Sequence, residues 1–181
     1  MVMAGGPDLK AVRALAVALC VVLAACDAAG PGLAPGAPMP DLDLVGLEGR
    51  PLRWRAHAGR VVVVNFWATW CAPCRREMDS LARLAAAGEA AGIDVVGVSV
   101  DDDANLVREQ VRRNGWTFAR FIDRGRTASR GSLGIEALPR TYVVGPDGRI
   151  RLVVDGPRDW GHVDMVARLA RMRARPELAG D

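Results

Sequence analysis

Cys71 and Cys74 are the residues whose type and spacing best support chemistry, because only Ala72 and Pro73 separate them. Such a pair can be a structural disulfide, part of a metal site, or a dithiol that exchanges disulfides. A structural disulfide stabilises a chain more when it closes a longer loop, and this one would close almost none. A tetrahedral zinc site needs two further ligands, and the sequence offers no second pair of this kind. The spacing therefore favours a working dithiol.

The segment around the pair predicts which sulfur reacts. The run VVVVNFW, residues 61–67, is typical of a strand buried on both faces. Apolar residues then recur at helical spacing from about Ala72, and Pro73 fits the first turn of a helix. Cys71 would lie at that helix N-terminus, where free N–H groups and the helix dipole stabilise a thiolate. We therefore expect Cys71 to be the nucleophile and Cys74, on the same helical face, to resolve the mixed disulfide.

Strands and helices alternate along the rest of the chain. The predicted elements are a hairpin of DLDLV and PLRWR, the strand and helix around the cysteines, a strand at 93–100, a helix opened by aspartates 101–103 and ended by Asn114-Gly115, a strand at 117–122, a short helix at about 127–133, two strands around Pro146-Asp147-Gly148, and a helix at about 159–173. This order predicts an α/β fold with a mostly parallel sheet, helices on both faces and antiparallel strands at the end. A chemical site is expected at the carboxyl end of a central strand, which is where Cys71 lies.

The composition is that of an ordinary globular domain. A quarter of the residues are charged, half are apolar and the formal net charge is +3. No dense basic stripe with interleaved aromatic residues indicates nucleic-acid binding. The arginines near the end are predicted to form the solvated face of the last helix; they are Arg168, Arg171, Arg173 and Arg175.

Residues 1–25 predict an export signal. Lys10 and Arg13 precede an apolar run at 14–25, which is shorter than the about 20 residues that a membrane span needs. The run ends in LAAC, which resembles the lipobox of bacterial lipoproteins. We therefore expect Cys26 to be the lipidated first residue of the mature chain; the alternative is an ordinary signal peptide with an incidental cysteine.

The remaining boundaries follow from composition. Residues 26–40 are rich in Gly, Pro and Ala and predict a linker, residues 41–175 a folded domain, and residues 176–181 a tail. The domain would be exported and held by its lipid at the periplasmic or extracytoplasmic face of the cell membrane.

The string VNFWATWCAPCRREM resembles the TlpA/ResA-like branch of the thioredoxin superfamily, which consists of tethered bacterial thiol–disulfide oxidoreductases. The resemblance covers roughly residues 40–173. It implies a thioredoxin-like fold, with a central mixed sheet flanked by helices, an N-terminal β-hairpin and an inserted strand–helix unit before Pro139. It also implies disulfide exchange with protein substrates, without a cofactor or a metal.

The resemblance assigns roles to further residues. The segment ALPRTYVV matches the family segment that carries a cis-proline opposite the dithiol. We therefore expect a cis bond before Pro139 and substrate pairing with the backbone of Leu138; the alternative is a simple proline at the start of a strand. Glu77 matches a glutamate that influences thiol ionisation, and it would exchange a proton with Cys74. The alternative is a solvated glutamate on the helix surface.

Asn65 departs from ordinary thioredoxins, which carry a buried Asp at this strand position. Asn cannot ionise, so either Glu77 accepts the proton or the resolving step is slower. Trp67 is predicted to lie in the core, whereas Trp70 is predicted to face the substrate. Ala72 and Pro73, between the cysteines, are the other residues expected to contact substrate.

Two other functions were compatible with a cysteine pair on this fold. A Sco-like copper chaperone has a similar fold and binds Cu(I) through thiolates. Such proteins carry a CxxxC motif and a distal histidine, whereas this chain has CxxC and its His57 and His162 lie in no motif. A thiol peroxidase needs a threonine three residues before its cysteine, and Thr69 lies two residues before Cys71.

The resemblance favours a disulfide reductase, although the residues between the cysteines do not by themselves set the direction of electron flow. An exported reductase must be recharged, so we expect a membrane electron donor of the CcdA or DsbD type. The expected substrates are apocytochrome c cysteines before haem attachment or thiols of a copper-site protein.

Overall fold

A six-stranded sheet organises residues 33–174, the part of the chain that this computed structural model describes. In chain order the strands are β1 (Val45–Gly46), β2 (Val61–Trp67), β3 (Ile93–Ser99), β4 (Ala119–Ile122), β5 (Arg140–Val144) and β6 (Ile150–Asp155). Their spatial order is β1-β4-β3-β2-β5-β6. Strands β2, β3 and β4 are parallel, whereas β1, β5 and β6 run antiparallel to their neighbours. The predicted α/β class, with a parallel centre and antiparallel strands at the end, is confirmed.

Strand β2 lies at the centre of the sheet between β3 and β5, and all its residues are buried. Full burial of one such side chain contributes about 1.5–3 kcal/mol, so the valine run at 61–64 anchors the sheet. Asn65 is the polar residue in this strand, and it is completely buried. A buried amide is costly unless it is hydrogen-bonded, so this residue points to a polar feature inside the core.

Within residues 33–174, three α-helices flank the sheet: α1 (Ala72–Gly88), α2 (Ala104–Asn114) and α3 (Val163–Ala174). Shorter helical turns lie at Trp54–His57, Arg124–Arg126 and Thr127–Ser132, the last of them π-helical. The ends of α2 agree with the sequence. Asp103 caps its first turn, and Gly115 ends it in the left-handed region at φ 66°, a conformation in which the absence of a Cβ costs nothing.

The N-terminal hairpin is shorter than the sequence predicts. Gly46 N–H donates to Arg50 O at 2.6 Å, and Leu52 N–H donates to Leu44 O at 2.9 Å. The second arm then turns into a 3₁₀ helix at Trp54–His57 instead of continuing as a strand. The alternating pattern overestimated this arm because β1 pairs with β4, and within residues 33–174 no strand pairs with the other side of PLRWR.

Hydrogen bonding to the sheet begins before the predicted boundary at Asp41. Gly36 N–H donates to Ile150 O at 2.8 Å, and Met39 N–H donates to Gly148 O at 2.9 Å. The last residues of the predicted linker thus pair with the turn that precedes β6 and with the first residue of β6.

The last helix begins at Val163, later than the predicted start near residue 159. The reason is Trp160, whose backbone N–H donates to Ser80 Oγ at 3.1 Å and whose side chain is completely buried. These contacts hold the preceding segment as a loop against α1. Within residues 33–174, no helix combines the length and the apolar composition needed to cross a bilayer.

Candidate active site

Cys71 and Cys74 form a disulfide at the N-terminus of α1. Cys71 is the N-cap residue, with an extended backbone, and its Sγ accepts a hydrogen bond from the backbone N–H of Cys74 at 3.3 Å. Pro73 occupies the first turn, where no intrahelical N–H is needed. The structure therefore places Cys71 in the field of the helix dipole, as the sequence predicted.

The two sulfurs differ in accessibility. Cys71 retains 6% of its surface, whereas Cys74 retains none. A substrate sulfur approaching from solvent can therefore reach Cys71 before it reaches Cys74. That Cys71 attacks first stays a prediction, and this difference in accessibility supports it.

A groove of about 170 Å³ lies beside Cys71. Trp70, which is 60% exposed, and Leu138 line this groove together with Cys71. The bond between Leu138 and Pro139 is cis, as predicted, and Pro139 itself is buried. Ala72 is exposed and Pro73 is partly buried, but neither lines the groove. The structure thus brings Trp70, Cys71 and Leu138 together at the groove. Ala72 and Pro73, which lie between the two cysteines, are outside it.

Glu77 is buried, with 3% of its surface exposed, on α1 one turn beyond Cys74. Its carboxylate accepts hydrogen bonds from Asn65 Nδ2 at 2.7 Å, from the backbone N–H of Arg158 at 3.0 Å and from Trp160 Nε1 at 3.3 Å. Burial raises the pKa of Glu77 above its usual value, while these three donors oppose the rise. The alternative of a solvated helix glutamate is therefore wrong.

Asn65 links this carboxyl group to the neighbouring strand. Its Nδ2 donates both to Glu77 and to Thr141 Oγ1, the latter at 2.9 Å. Its Oδ1 is buried and has no hydrogen-bond partner within residues 33–174. The residue that replaces the thioredoxin aspartate is thus a neutral donor to the one buried acid on α1.

The interpretation of the sequence missed the role of Asp101. It treated the aspartates at 101–103 as helix caps, but Asp103 alone caps α2. Asp101 is buried and accepts hydrogen bonds from Thr69 N–H at 2.9 Å, Thr69 Oγ1 at 2.7 Å and Ser99 Oγ at 2.7 Å. These bonds hold the loop that carries the residues just before Cys71. An acid directly after a buried parallel strand was the signal that could have identified it.

Other candidate residues have simpler positions. Trp67 is in the core, 1% exposed, and packs edge-to-face on Trp116 with ring centroids 5.6 Å apart. Cys26 lies outside the described residues. Within residues 33–174, no three His, Cys, Asp or Glu side chains cluster as metal ligands would.

Comparison with known proteins shows the family. Residues 35–153 match the family model described as the AhpC/TSA family. The chain is 33% identical to the thiol-disulfide oxidoreductase ResA of Geobacillus thermodenitrificans over 124 residues, which are 68% of this chain and 71% of the relative. The thiol-disulfide oxidoreductase ResA of Geobacillus kaustophilus is 31% identical over 124 residues, again 68% of this chain and 71% of the relative.

Solved structures agree with this match. A thiol:disulfide interchange protein of the thioredoxin family from Chlorobium tepidum is 25% identical with a TM-score of 0.65, covering 77% of this chain and 99% of that one. A secreted thiol-disulfide isomerase from Corynebacterium glutamicum is 28% identical with a TM-score of 0.65, covering 74% and 85%. Taken with the disulfide at the N-terminus of α1, these matches show that the chain belongs to the AhpC/TSA family and is a ResA-like thiol–disulfide oxidoreductase of the thioredoxin superfamily.

Proposed function

We propose that this oxidoreductase acts as a reductase of protein disulfides at the extracytoplasmic face of the cell membrane. The observation that carries the mechanism is the unequal access to the two sulfurs, because only Cys71 reaches the surface. The direction of electron flow rests on the similarity to the ResA relatives.

In the proposed cycle the enzyme starts as a dithiol. The thiolate of Cys71 attacks one sulfur of the substrate disulfide, breaking that bond and releasing one substrate thiolate, which takes up a proton. Cys74 then loses its proton and attacks the sulfur of Cys71. The second substrate thiol leaves, and two electrons have passed from the enzyme to the substrate. The enzyme is left with the Cys71–Cys74 disulfide.

Glu77 is the proposed acceptor for the proton of Cys74. It lies one helical turn from Cys74, it is buried, and its raised pKa makes it a better base than an ordinary solvated carboxylate. No other titratable residue of the predicted site shares its position behind the disulfide, since Asn65 cannot ionise. We expect Pro139 and Leu138 to support substrate binding across the groove from Cys71.

The site of action and the partners are also proposals. The lipobox-like segment ending at Cys26 and the similarity to a secreted isomerase support export and a lipid anchor. In an oxidising compartment the disulfide left after each cycle must be reduced again, which calls for a membrane dithiol donor of the CcdA or DsbD type. Cysteines of apocytochrome c or of a copper-site protein are the proposed substrates.

A reduction assay tests the proposed chemistry. The wild type, prereduced, should reduce a disulfide-containing protein, and Cys71→Ser should lose this activity. Cys74→Ser should instead accumulate a mixed disulfide through Cys71, detectable as a mass increase that dithiothreitol removes. Equal activity of the wild type and Cys71→Ser would contradict the mechanism.

The reduction potential tests the direction. Equilibration with dithiol buffers should give a value near the reducing end of the thioredoxin-fold range, about −270 mV, and away from the oxidising end near −120 mV. A value near the oxidising end would make the protein an oxidant of its substrates. The intact mass of the membrane-associated protein tests the anchor: a mature chain that starts at any residue other than a lipidated Cys26 would contradict it.

A further inference from the structure

The groove beside Cys71 has a basic wall. Arg126 and Arg130 line it together with Trp70 and Cys71, and Glu136 is the carboxylate among the lining residues. Two guanidinium groups against one carboxylate leave this small groove with an excess of positive charge at neutral pH. Within residues 33–174, neither arginine has a carboxylate oxygen within the 4.0 Å of an ion pair.

Arg126 is held in an unusual conformation that directs it to the groove. Its backbone lies in the left-handed region, with φ 57°. Within residues 33–174, no other non-glycine residue has a positive φ. Its guanidinium carbon lies 5.7 Å from the centroid of the exposed Trp70 ring. Non-glycine residues adopt this region rarely, and residues held in such conformations cluster at active sites and ligand-binding sites.

Asp123 enforces the conformation of this wall. It is 1% exposed, and its carboxylate accepts hydrogen bonds from the backbone N–H groups of Ala128 at 3.0 Å and Ser129 at 2.7 Å. Its carbonyl oxygen accepts from the N–H of Arg126 at 3.1 Å. The segment that carries both arginines is therefore a positioned wall rather than a loose loop.

We propose that this groove selects substrate segments that carry an acidic residue within about two or three residues of the target cysteine. The span follows from the rise of about 3.3 Å per residue of extended chain, because both arginines line the same small groove as Cys71. The carboxylate of the substrate pairs with Arg126 and Arg130. The inference rests on the proposed function, because it names the substrates of that same site.

Matched peptides test the selection. Three symmetric disulfide-linked peptide dimers would differ only at the second residue after the cysteine, which is Asp, Asn or Lys. Each rate of reduction by the prereduced protein is divided by the rate with dithiothreitol, which removes the intrinsic effect of the neighbouring charge. We expect Asp to exceed Asn by roughly fivefold and Lys to be slowest, with a preference that shrinks between about 50 mM and 500 mM salt.

Charge variants locate the effect. Arg126→Gln and Arg130→Gln should each reduce the preference for the Asp peptide, and Arg126→Lys should retain most of it. Arg112→Gln is the matched control. It removes one charge from the exposed C-terminal turn of α2, the end of that helix remote from the carboxyl edge of the sheet, and should leave the preference unchanged. Circular dichroism of each variant shows whether it is folded.

The outcomes separate this inference from the proposed function. Equal normalised rates for the Asp and Asn peptides, or an equal loss in Arg112→Gln, would overturn the selection while the reductase activity stands. Failure to reduce any peptide or protein would overturn the reductase activity. In that case, binding of the peptides to a variant with both Cys71→Ser and Cys74→Ser, measured by isothermal titration calorimetry, decides the selection by the same comparison.

Discussion

The side-chain amide of Asn65 donates to Glu77 Oε1 across 2.7 Å, which joins the central strand to the cysteine-bearing helix inside the core. Both residues are buried, and burial of either polar side chain without a hydrogen-bond partner would destabilise the fold. Together they form a polar contact behind the disulfide. Because Asn stays neutral, Glu77 is the member of the pair that can change charge.

Glu77→Gln is expected to remove a pH dependence of stability from the oxidised protein. Burial raises the pKa of Glu77 above 4.5, so the folded protein binds this proton more tightly than the unfolded chain does. The free energy of unfolding of the wild type should therefore fall as the pH rises from about 4.5 through the raised pKa, and the variant should lack this contribution. Urea unfolding across that range measures the difference in slope. An unchanged slope would show that Glu77 does not titrate as described.

Asn65→Asp is expected to destabilise the protein most at high pH. The substitution removes the donor to Glu77 and places a second carboxyl group at hydrogen-bond distance, where both cannot ionise without strong repulsion. We expect a loss of about 3 kcal/mol at pH 8, measured by urea unfolding, that becomes smaller toward pH 5 as the pair retains a proton.

Thr141→Val is the control for this change. It removes the hydroxyl that accepts from Asn65 at 2.9 Å, and it should cost about 1 kcal/mol without a new pH dependence. If Asn65→Asp behaved in the same pH-independent way, its side chain would not lie beside Glu77.

Asp101→Ala is expected to impair both stability and exchange. The change leaves the Thr69 N–H and the Ser99 hydroxyl without their acceptor, at a cost of about 2–3 kcal/mol in the free energy of unfolding. It also loosens the loop before Cys71, so the rate of mixed-disulfide formation should fall several-fold. The exposed neighbour Asp102 supplies the control: Asp102→Ala should stay within about 0.5 kcal/mol of the wild type and keep its rate.

Trp70→Ala should lower the reduction rate with little effect on stability, whereas Trp67→Ala should lower the stability. Trp70 is 60% exposed, so its removal should change the free energy of unfolding by less than about 0.5 kcal/mol. The rate of reduction of protein disulfides should nevertheless fall several-fold, because the ring forms one side of the groove. Trp67 is 1% exposed, and its removal should cost about 3–5 kcal/mol. Wild-type rates in a folded Trp70→Ala variant would contradict a substrate contact at this residue.

Local patterns were sufficient to predict most of the sheet and the placement of the disulfide. The β-branched and aromatic run at residues 61–67 has no polar face and indicates a strand covered on both sides, and the helix that follows it begins where the apolar spacing changes. Patterns failed where pairing partners decide the outcome. PLRWR alternates like a strand, but within residues 33–174 no strand lies beside its free edge, and the last helix begins later than its pattern predicts because Trp160 is buried against α1.

The sequence by itself determined the chemistry of this protein: two cysteines at a helix N-terminus after a buried strand, with the family resemblance that names a cis-proline and a glutamate. These features are local, because they depend on spacing within a few residues. Only the tertiary structure decided that Glu77 is buried and bonded to Asn65 and Trp160, that Asp101 holds the loop before Cys71, and that arginines more than fifty residues away line the groove. Such contacts join residues distant in the chain, and their energies depend on burial that exists only after the sheet has assembled.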